Sequence, residues 1–362
     1  MHLYENKEVF NQLIVATSQV KHLPEAVVEK DYYVSLLLRR LRDELPNLVF
    51  KGGTSLSKAY HVIQRFSEDI DLTFSVRPQN TELKKTKNTI LETIKLLDLR
   101  IENLDKIMSR RRFNRYEVAF DPMYVSTTLK NHLLVETFAH YTPYPVEERA
   151  ISNYIYEYLE SIQREDVIVQ FPELAPFLMQ VQSLERTFVD KIFAVLDRYL
   201  EGESEGFSRH LYDIYRMSSG SVLALGGVRV LFEEVRRELA GDLKQNPSAI
   251  LGFPVRARLL QLLTTDFYRK DYERITEQLV QEDVPYAMVK EKLIGLLEDQ
   301  LPAGYFFGVD QLCFASDIEM SAPNKIAIDP HECVVVLYLR YLFMFLTGVY
   351  DEQFEFDDSV GN

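Results

Sequence analysis

One short apolar run in this chain breaks on a glycine pair and is followed, a helix later, by two aspartates two residues apart. The first part reads Leu48-Val49-Phe50-Lys51-Gly52-Gly53-Thr54-Ser55-Leu56-Ser57-Lys58, the second Arg65-Phe66-Ser67-Glu68-Asp69-Ile70-Asp71-Leu72-Thr73-Phe74. Leu48-Val49-Phe50 has the character of a buried strand, and Gly52-Gly53 ends it. Thr54 or Ser55 can then cap a helix whose apolar positions Leu56, Ala59, Tyr60 and Ile63 keep helical spacing. Backbone N–H groups bared by a glycine pair at a helix start suit an incoming anion such as phosphate. The second part alternates as a strand, with Asp69 and Asp71 on one face and Ile70, Leu72 and Phe74 on the other. Two carboxylates so placed cannot both be buried unpaired, because each would cost several kcal/mol. A divalent cation held between them removes that cost, and hard oxygen ligands suit magnesium bound to substrate phosphates.

A phosphate cradle and a carboxylate pair joined by one helix amount to a nucleotidyl-transfer site. That order of parts resembles the DNA polymerase β-type nucleotidyltransferases, in which Gly-Gly/Ser precedes an Asp-x-Asp strand. The nearer resemblance is to the AbiEii/AbiGii toxin family of bacterial nucleotidyltransferases, carried by Lys51 to Lys58 and by Arg65 to Leu72. It implies nucleotide-binding roles for Gly52, Gly53, Thr54, Ser55, Lys58, Arg65 and Ser67, and metal-binding and catalytic roles for Asp69 and Asp71. In polymerase-β-like sites a third carboxylate on a later strand completes the metal site. Glu136, the only acid in His132-Leu133-Leu134-Val135-Glu136-Thr137-Phe138, is the candidate, with Glu117 and Asp121 as rivals. Further along, Asp190-Lys191 and the run Arg209-His210-Leu211-Tyr212-Asp213 match the family's later motifs. By resemblance Lys191 faces the triphosphate and Asp213 completes the site. Arg65 either binds phosphate or fixes the aspartate strand through a carboxylate fork.

The rest of the chain sets the frame. Its 362 residues, 46% hydrophobic, suit one large or two medium domains with a proper core. A formal net charge of -14 argues against a generic nucleic-acid binder, though not against a local basic patch. Cys313 and Cys333 are too few for a disulfide framework or zinc cluster, which points to a reducing cytoplasm. No signal peptide opens the sequence, and the apolar run from Cys333 to Tyr350 contains Arg340 and reads as a buried or interface helix.

Residues 7–45 are helical in pattern and contain Glu29-Lys30-Asp31, which is either an exposed charge cluster or a support beneath the site. A helix is expected over 81–99. Lys84, Lys85 and Lys87 on it, with Arg110-Arg111-Arg112 and Arg115, form basic islands that are either solvated or touch a phosphate backbone. Strands are expected at 112–120 and 132–138. Leu184, Phe188, Ile192 and Val195 form an apolar helical stripe. Gly226-Gly227 reads as a turn, and Thr265 to Tyr272 as a charged helix face with aromatic filling. The resemblance covers residues 25–220, and the last third reads only as helix.

Together these readings give an α/β (α+β) nucleotidyltransferase core with a mixed sheet over residues 1–150, followed by a helical domain over 151–362 that contributes Lys191 and Asp213. The implied chemistry is Mg²⁺- or Mn²⁺-dependent transfer of a nucleoside monophosphate from a nucleoside triphosphate, with tRNA as an acceptor for some family members. The implied setting is a cytoplasmic toxin with a cognate antitoxin, in a toxin–antitoxin or phage-defence module, away from membranes. Two alternatives remain at this point: a non-catalytic binding module on the same fold, and nucleotidyl transfer onto protein hydroxyls.

Overall fold

A computed structural model describes residues 2–300 apart from 68, 127–131, 221, 222 and 224. Cys313, Cys333, the apolar run from Cys333 to Tyr350 and the acidic segment from Asp351 to Asp358 lie outside the described residues.

The chain opens with two helices, α1 (Lys7–Lys21) and α2 (Glu25–Glu44), where one helical span was expected. The break has a local cause. His22 closes α1 in the left-handed region at φ 54°, and Pro24, which lacks an N–H, begins α2. β1 (Leu48–Lys51) follows, then α3 (Gly52–Lys58) and β2 (Asp69–Phe74). α3 starts directly at Gly52, with no side-chain cap from Thr54 or Ser55, and is shorter than its apolar spacing suggests. His61 at φ 53° turns the chain away before Ile63 can continue it.

α4 (Asn80–Leu96) carries the basic residues Lys84 and Lys85 on its exposed side, and a capping box between Gln79 and Glu82 fixes its start. β3 (Arg100–Ile101), β4 (Phe113–Ala119), β5 (His132–Phe138) and β6 (Val146–Ile151) come next. The short helices α5 (Tyr154–Ser161) and α6 (Glu165–Gln170) lead into β7 (Phe177–Gln182).

The seven strands form one mixed sheet in the order β3-β4-β5-β2-β1-β7-β6, with β1 to β7 and β2 to β5 parallel and the other pairs antiparallel. The expected domain boundary at residue 150 falls inside β6, and β7 lies directly beside β1. The strand alternation that places Asp69 and Asp71 on one face puts Ile70 and Leu72 on the other, fully buried with Leu133, Val135, Tyr116 and Val118. That buried face anchors the sheet, so the opposite face is free to carry charge.

After β7 the described chain is helical. α7 (Leu184–Glu201) buries the expected stripe of Leu184, Phe188, Ile192 and Val195, and α8 (Arg209–Ser219) packs beside it. α9 (Leu225–Leu239) begins just before Gly226 and Gly227, so that pair sits in the first turn of a helix and not in the expected turn. α10 (Val255–Thr264) ends before Thr265, and Asp266 at φ 53° interrupts the continuous helix face expected over Thr265 to Tyr272. A helix at Tyr286–Gly295, continued by a π-helical turn at Leu296–Gln300, closes the described fold. No helix among the described residues is long and apolar enough to cross a membrane.

One connection ties the far end of the described chain to the glycine segment. Val280 forms an antiparallel bridge with Arg65, flanked by hydrogen bonds from Phe66 N to Leu279 O and from Gln281 N to Gln64 O. Tyr212 reinforces it: its hydroxyl accepts from Gln64 N and donates to Glu282.

Candidate active site

The glycine pair makes room for the site's own side chains. Gly52 sits at φ 81°, and a Cβ there would run into the Asp71 carboxylate. A Cβ on Gly53 would lie 2.7 Å from Arg65 Nη2 and 2.9 Å from Ser67 Oγ. Thr54 and Ser55 are buried and bonded internally. Thr54 Oγ1 donates to the Asp69 carbonyl at 2.5 Å and lies 2.9 Å from Ser67 Oγ, while Ser55 Oγ donates to the Gly52 carbonyl at 2.9 Å. Thr54 therefore fastens α3 to the start of β2 instead of capping a helix.

Lys58, at the end of α3, is turned inward. Its ammonium donates to Asp31 Oδ1 at 2.6 Å and to Ser35 Oγ at 2.8 Å, and Asp31 Oδ2 accepts from Tyr154 N at 2.8 Å. Glu29, Lys30 and Asp31 are all buried, which excludes the solvated-cluster reading. Glu29 accepts from the backbone N–H groups of Met123 and Tyr124 at 2.8 and 3.0 Å. These acids hold α3 and the chain leading to β5, and so act as supports.

Across the sheet, strand register lines up four charged residues on one face. Arg115 on β4 stands opposite Glu136 on β5, Glu136 beside Asp71 on β2, and Asp71 opposite Lys51 on β1. Asp69 shares that face two residues before Asp71. Glu136 is thus the carboxylate that the fold brings to the aspartate pair. Its rivals stand farther off: Glu117 shares the face but is separated from Asp69 by the whole of β5, across Leu134, and Asp121 pairs with Arg100 at the surface.

Burial pushes the Asp71 carboxyl up to about 6, with the neighbouring Glu136 and Asp69 charges adding to it and Lys51 pulling it back. The Glu136 carboxylate meets Arg115 at 2.6 Å. Among the described residues no three His, Cys, Asp or Glu side chains converge as a ready metal cage. Asp69 and Asp71 fit a divalent cation as a hard-oxygen pair, and Glu136 fits as a neighbour now engaged by Arg115.

The sign of the Asp71 shift gives a test. A carboxyl with a folded pKa above its unfolded value costs stability as pH rises through the interval between them. Asp71→Asn is expected to stabilise the metal-free protein by about 1–2 kcal/mol at pH 8 and by little at pH 4.5, read from denaturant midpoints. A variant less stable than wild type at pH 8 would contradict the electrostatic picture.

Behind the carboxylates lies a buried trio. Arg65 forms a two-pronged fork with Asp213, Nε to Oδ1 and Nη2 to Oδ2, each 2.7 Å. Lys191 Nζ reaches Asp213 Oδ2 at 2.6 Å. Arg65 and Asp213 are 2% and 0% exposed, so this interaction is made away from water. Burial alone would raise the Asp213 carboxyl, but Arg65 and Lys191 hold it well below the usual carboxylate range. The fork that the sequence left open for Arg65 is therefore made to α8 and not to the aspartate strand.

Lys191 also lies 3.4 Å from His210 Nδ1, and burial beside that ammonium holds the imidazole well below its ordinary value. Lys191 is near enough to Asp71 to lower its pKa through charge. The expected residues Gly52, Gly53, Thr54, Ser55, Arg65, Ser67, Asp69, Asp71, Glu136, Lys191 and Asp213 therefore come together in one region. Lys58 belongs to the support beneath them.

Sequence reasoning passed over Lys51, although it stands inside the glycine motif, because its importance comes from strand pairing. It also passed over His210, whose neighbour Lys191 is a helix away. The only signal for His210 was its place between Arg209 and Asp213.

The family model described as nucleotidyl transferase AbiEii toxin, Type IV TA system, matches residues 36–299. No curated protein matches the chain.

Proposed function

The chain belongs to the AbiEii nucleotidyl transferase toxin family, of type IV toxin–antitoxin systems, and from that premise we propose that it moves a nucleoside monophosphate from a nucleoside triphosphate to an acceptor hydroxyl. The observation that carries the reading is the face shared by Asp69, Asp71 and Glu136, directly beside the glycine turn. Asp69 and Asp71 would hold Mg²⁺ or Mn²⁺, with Glu136 joining them once released from Arg115. When bound, such a cation lowers the pKa of the acceptor hydroxyl and screens the phosphate charge.

The protein's own groups do the remaining work. Gly53 and the turn around it bring backbone N–H groups close to the phosphates. Arg65, Lys191 and Asp213 together leave one net positive charge fixed behind the site, which favours the departure of an anionic pyrophosphate. The trio cannot relax toward solvent, so that charge stays aimed at the site throughout a turnover.

tRNA is the proposed acceptor. Arg110, Arg111 and Arg115 are exposed on and before β4, and Arg115 stands beside Glu136, so a basic approach for a phosphate backbone borders the carboxylates. A cognate antitoxin would restrain the activity, and growth arrest would serve phage exclusion.

The test is incubation with each labelled nucleoside triphosphate, a divalent cation, and total bacterial RNA and protein. Label in the small-RNA fraction is the expected result, together with growth arrest on expression that Asp71→Ala relieves. Label in protein would replace the acceptor with a protein hydroxyl. Absence of label and of nucleotide binding would reduce the protein to a binding module.

A further inference from the structure

Most of the cations named so far already have an acid. Lys58 is taken by Asp31, Arg65 and Lys191 by Asp213, and Arg115 by Glu136. Among the described residues, Lys51 and Arg209 have no acid within ion-pairing distance. Arg209 sits on α8 next to His210 and acts on Lys191. Lys51 ends β1, opposite Asp71 in the antiparallel register, on the face that carries Asp69 and Glu136.

The Lys51 side chain is half-buried, and its ammonium rests 4.4 Å from the centre of the Phe138 ring. Phe138 lies two residues beyond Glu136 on β5 and so shares its face. Opposite residues on paired strands hold their Cβ atoms about 5 Å apart, so a four-carbon stem places the charge well inside the field of Asp71. The aromatic face steadies the ammonium without neutralising it.

We propose that Lys51 is the phosphate-contacting lysine of this site: parked on Phe138 beside Asp71 in the free protein, it transfers to the nucleoside triphosphate when a divalent cation occupies the aspartates. The inference rests on the transfer reading above and adds a residue and a sequence of charges to it. In the free protein Lys51 offsets the mutual repulsion of Asp71, Asp69 and Glu136, an influence visible in the pull it exerts on the Asp71 carboxyl. A divalent cation on the same carboxylates repels the ammonium, and a phosphate oxygen is the anion that can receive it. Arg65 and Lys191 act at fixed positions through Asp213, whereas Lys51 has no bond to break except its contact with the ring.

This arrangement makes two effects of opposite sign follow from one substitution. Lys51→Met keeps the stem and removes the charge. It is expected to bind Mn²⁺ alone several-fold more tightly than wild type, because a competing cation is gone. It is also expected to bind a non-hydrolysable nucleoside triphosphate with Mn²⁺ at least about tenfold more weakly. Lys51→Arg, which keeps the charge, should remain within about threefold of wild type on both counts.

Calorimetric titration of the full chain with Mn²⁺, then with triphosphate at saturating Mn²⁺, reads both constants, and Lys51→Gln gives a second neutral variant should Lys51→Met fold poorly. Unchanged triphosphate affinity in the neutral variants, beside a wild type that binds, overturns the role of Lys51 and leaves the transfer reading standing. Weaker binding of both metal and triphosphate also overturns it, since that is what loss of structure gives. A wild type that binds neither Mn²⁺ nor triphosphate overturns the transfer reading and this inference together.

Discussion

Asp71→Ala is expected to reduce nucleotidyl transfer by at least about three orders of magnitude while leaving the protein as stable as wild type or slightly more so. The two halves of that result come from one cause. Asp71 faces the site and not the core, its carboxyl is raised to about 6 by burial and by Glu136 and Asp69, and its removal relieves strain in the metal-free fold. On the proposed function Asp71 would hold the cation that stabilises the charge of the transferring group, so nothing left behind could substitute for it. Asp69→Ala is expected to act in the same direction. Transfer assays on both variants, paired with denaturant midpoints, decide the matter. Either variant retaining transfer within tenfold of wild type would remove the aspartate pair from the chemistry.

The second large effect is on stability. Asp213→Ala leaves the Arg65 guanidinium and the Lys191 ammonium buried without their shared acid. Removing one member of a buried charge cluster costs about 3–5 kcal/mol, because the remaining charges keep their desolvation penalty. Asp213 is held well below the usual carboxylate range, so its contribution is present above its unfolded pKa and disappears only in more acidic solution. The loss should therefore be the same at pH 5.5 and pH 8. Replacing all three residues by apolar ones, Arg65→Met, Lys191→Met and Asp213→Leu, is expected to recover much of the stability. Transfer should not recover with it, since the fixed positive charge is gone. A stability loss under about 1 kcal/mol for Asp213→Ala would show that the trio does not hold the helices to the sheet.

Much of this site was legible in the sequence because its parts are local. The Asp69-Ile70-Asp71 parity follows from strand geometry alone, and β2 adopts it. β4 and β5 appear where their alternation placed them, and so does the mixed sheet. What was not legible depends on pairing between distant segments. The sequence marked Gly52 and Gly53 as a place for a ligand but not that Asp71, Arg65 and Ser67 occupy the room left by their missing Cβ atoms. Lys58 looked like one more cation near phosphate, and only the return of α2 reveals Asp31 as its partner.

The extension of the sheet past residue 150 was hidden for a similar reason. β7 is a short strand among helices, and its neighbour β1 lies more than a hundred residues earlier. The two glycines at 226 and 227 were misread because propensity disfavours them in helices, a preference of about 1 kcal/mol each that the packing of α9 against α7 overrides.

The fork between Arg65 and Asp213 spans 148 residues of sequence, and that separation has a meaning in time. At about 5–20 residues per second, roughly 7–30 s pass on the ribosome between the synthesis of the arginine and the arrival of its acid. The residue that bridges to Arg65, Val280, is made later still. A nascent chain therefore displays its glycine turn and both aspartates long before it owns the parts that fix the charge behind them. The fixed charge is thus completed only once α8 has been made, well after the glycine turn and both aspartates.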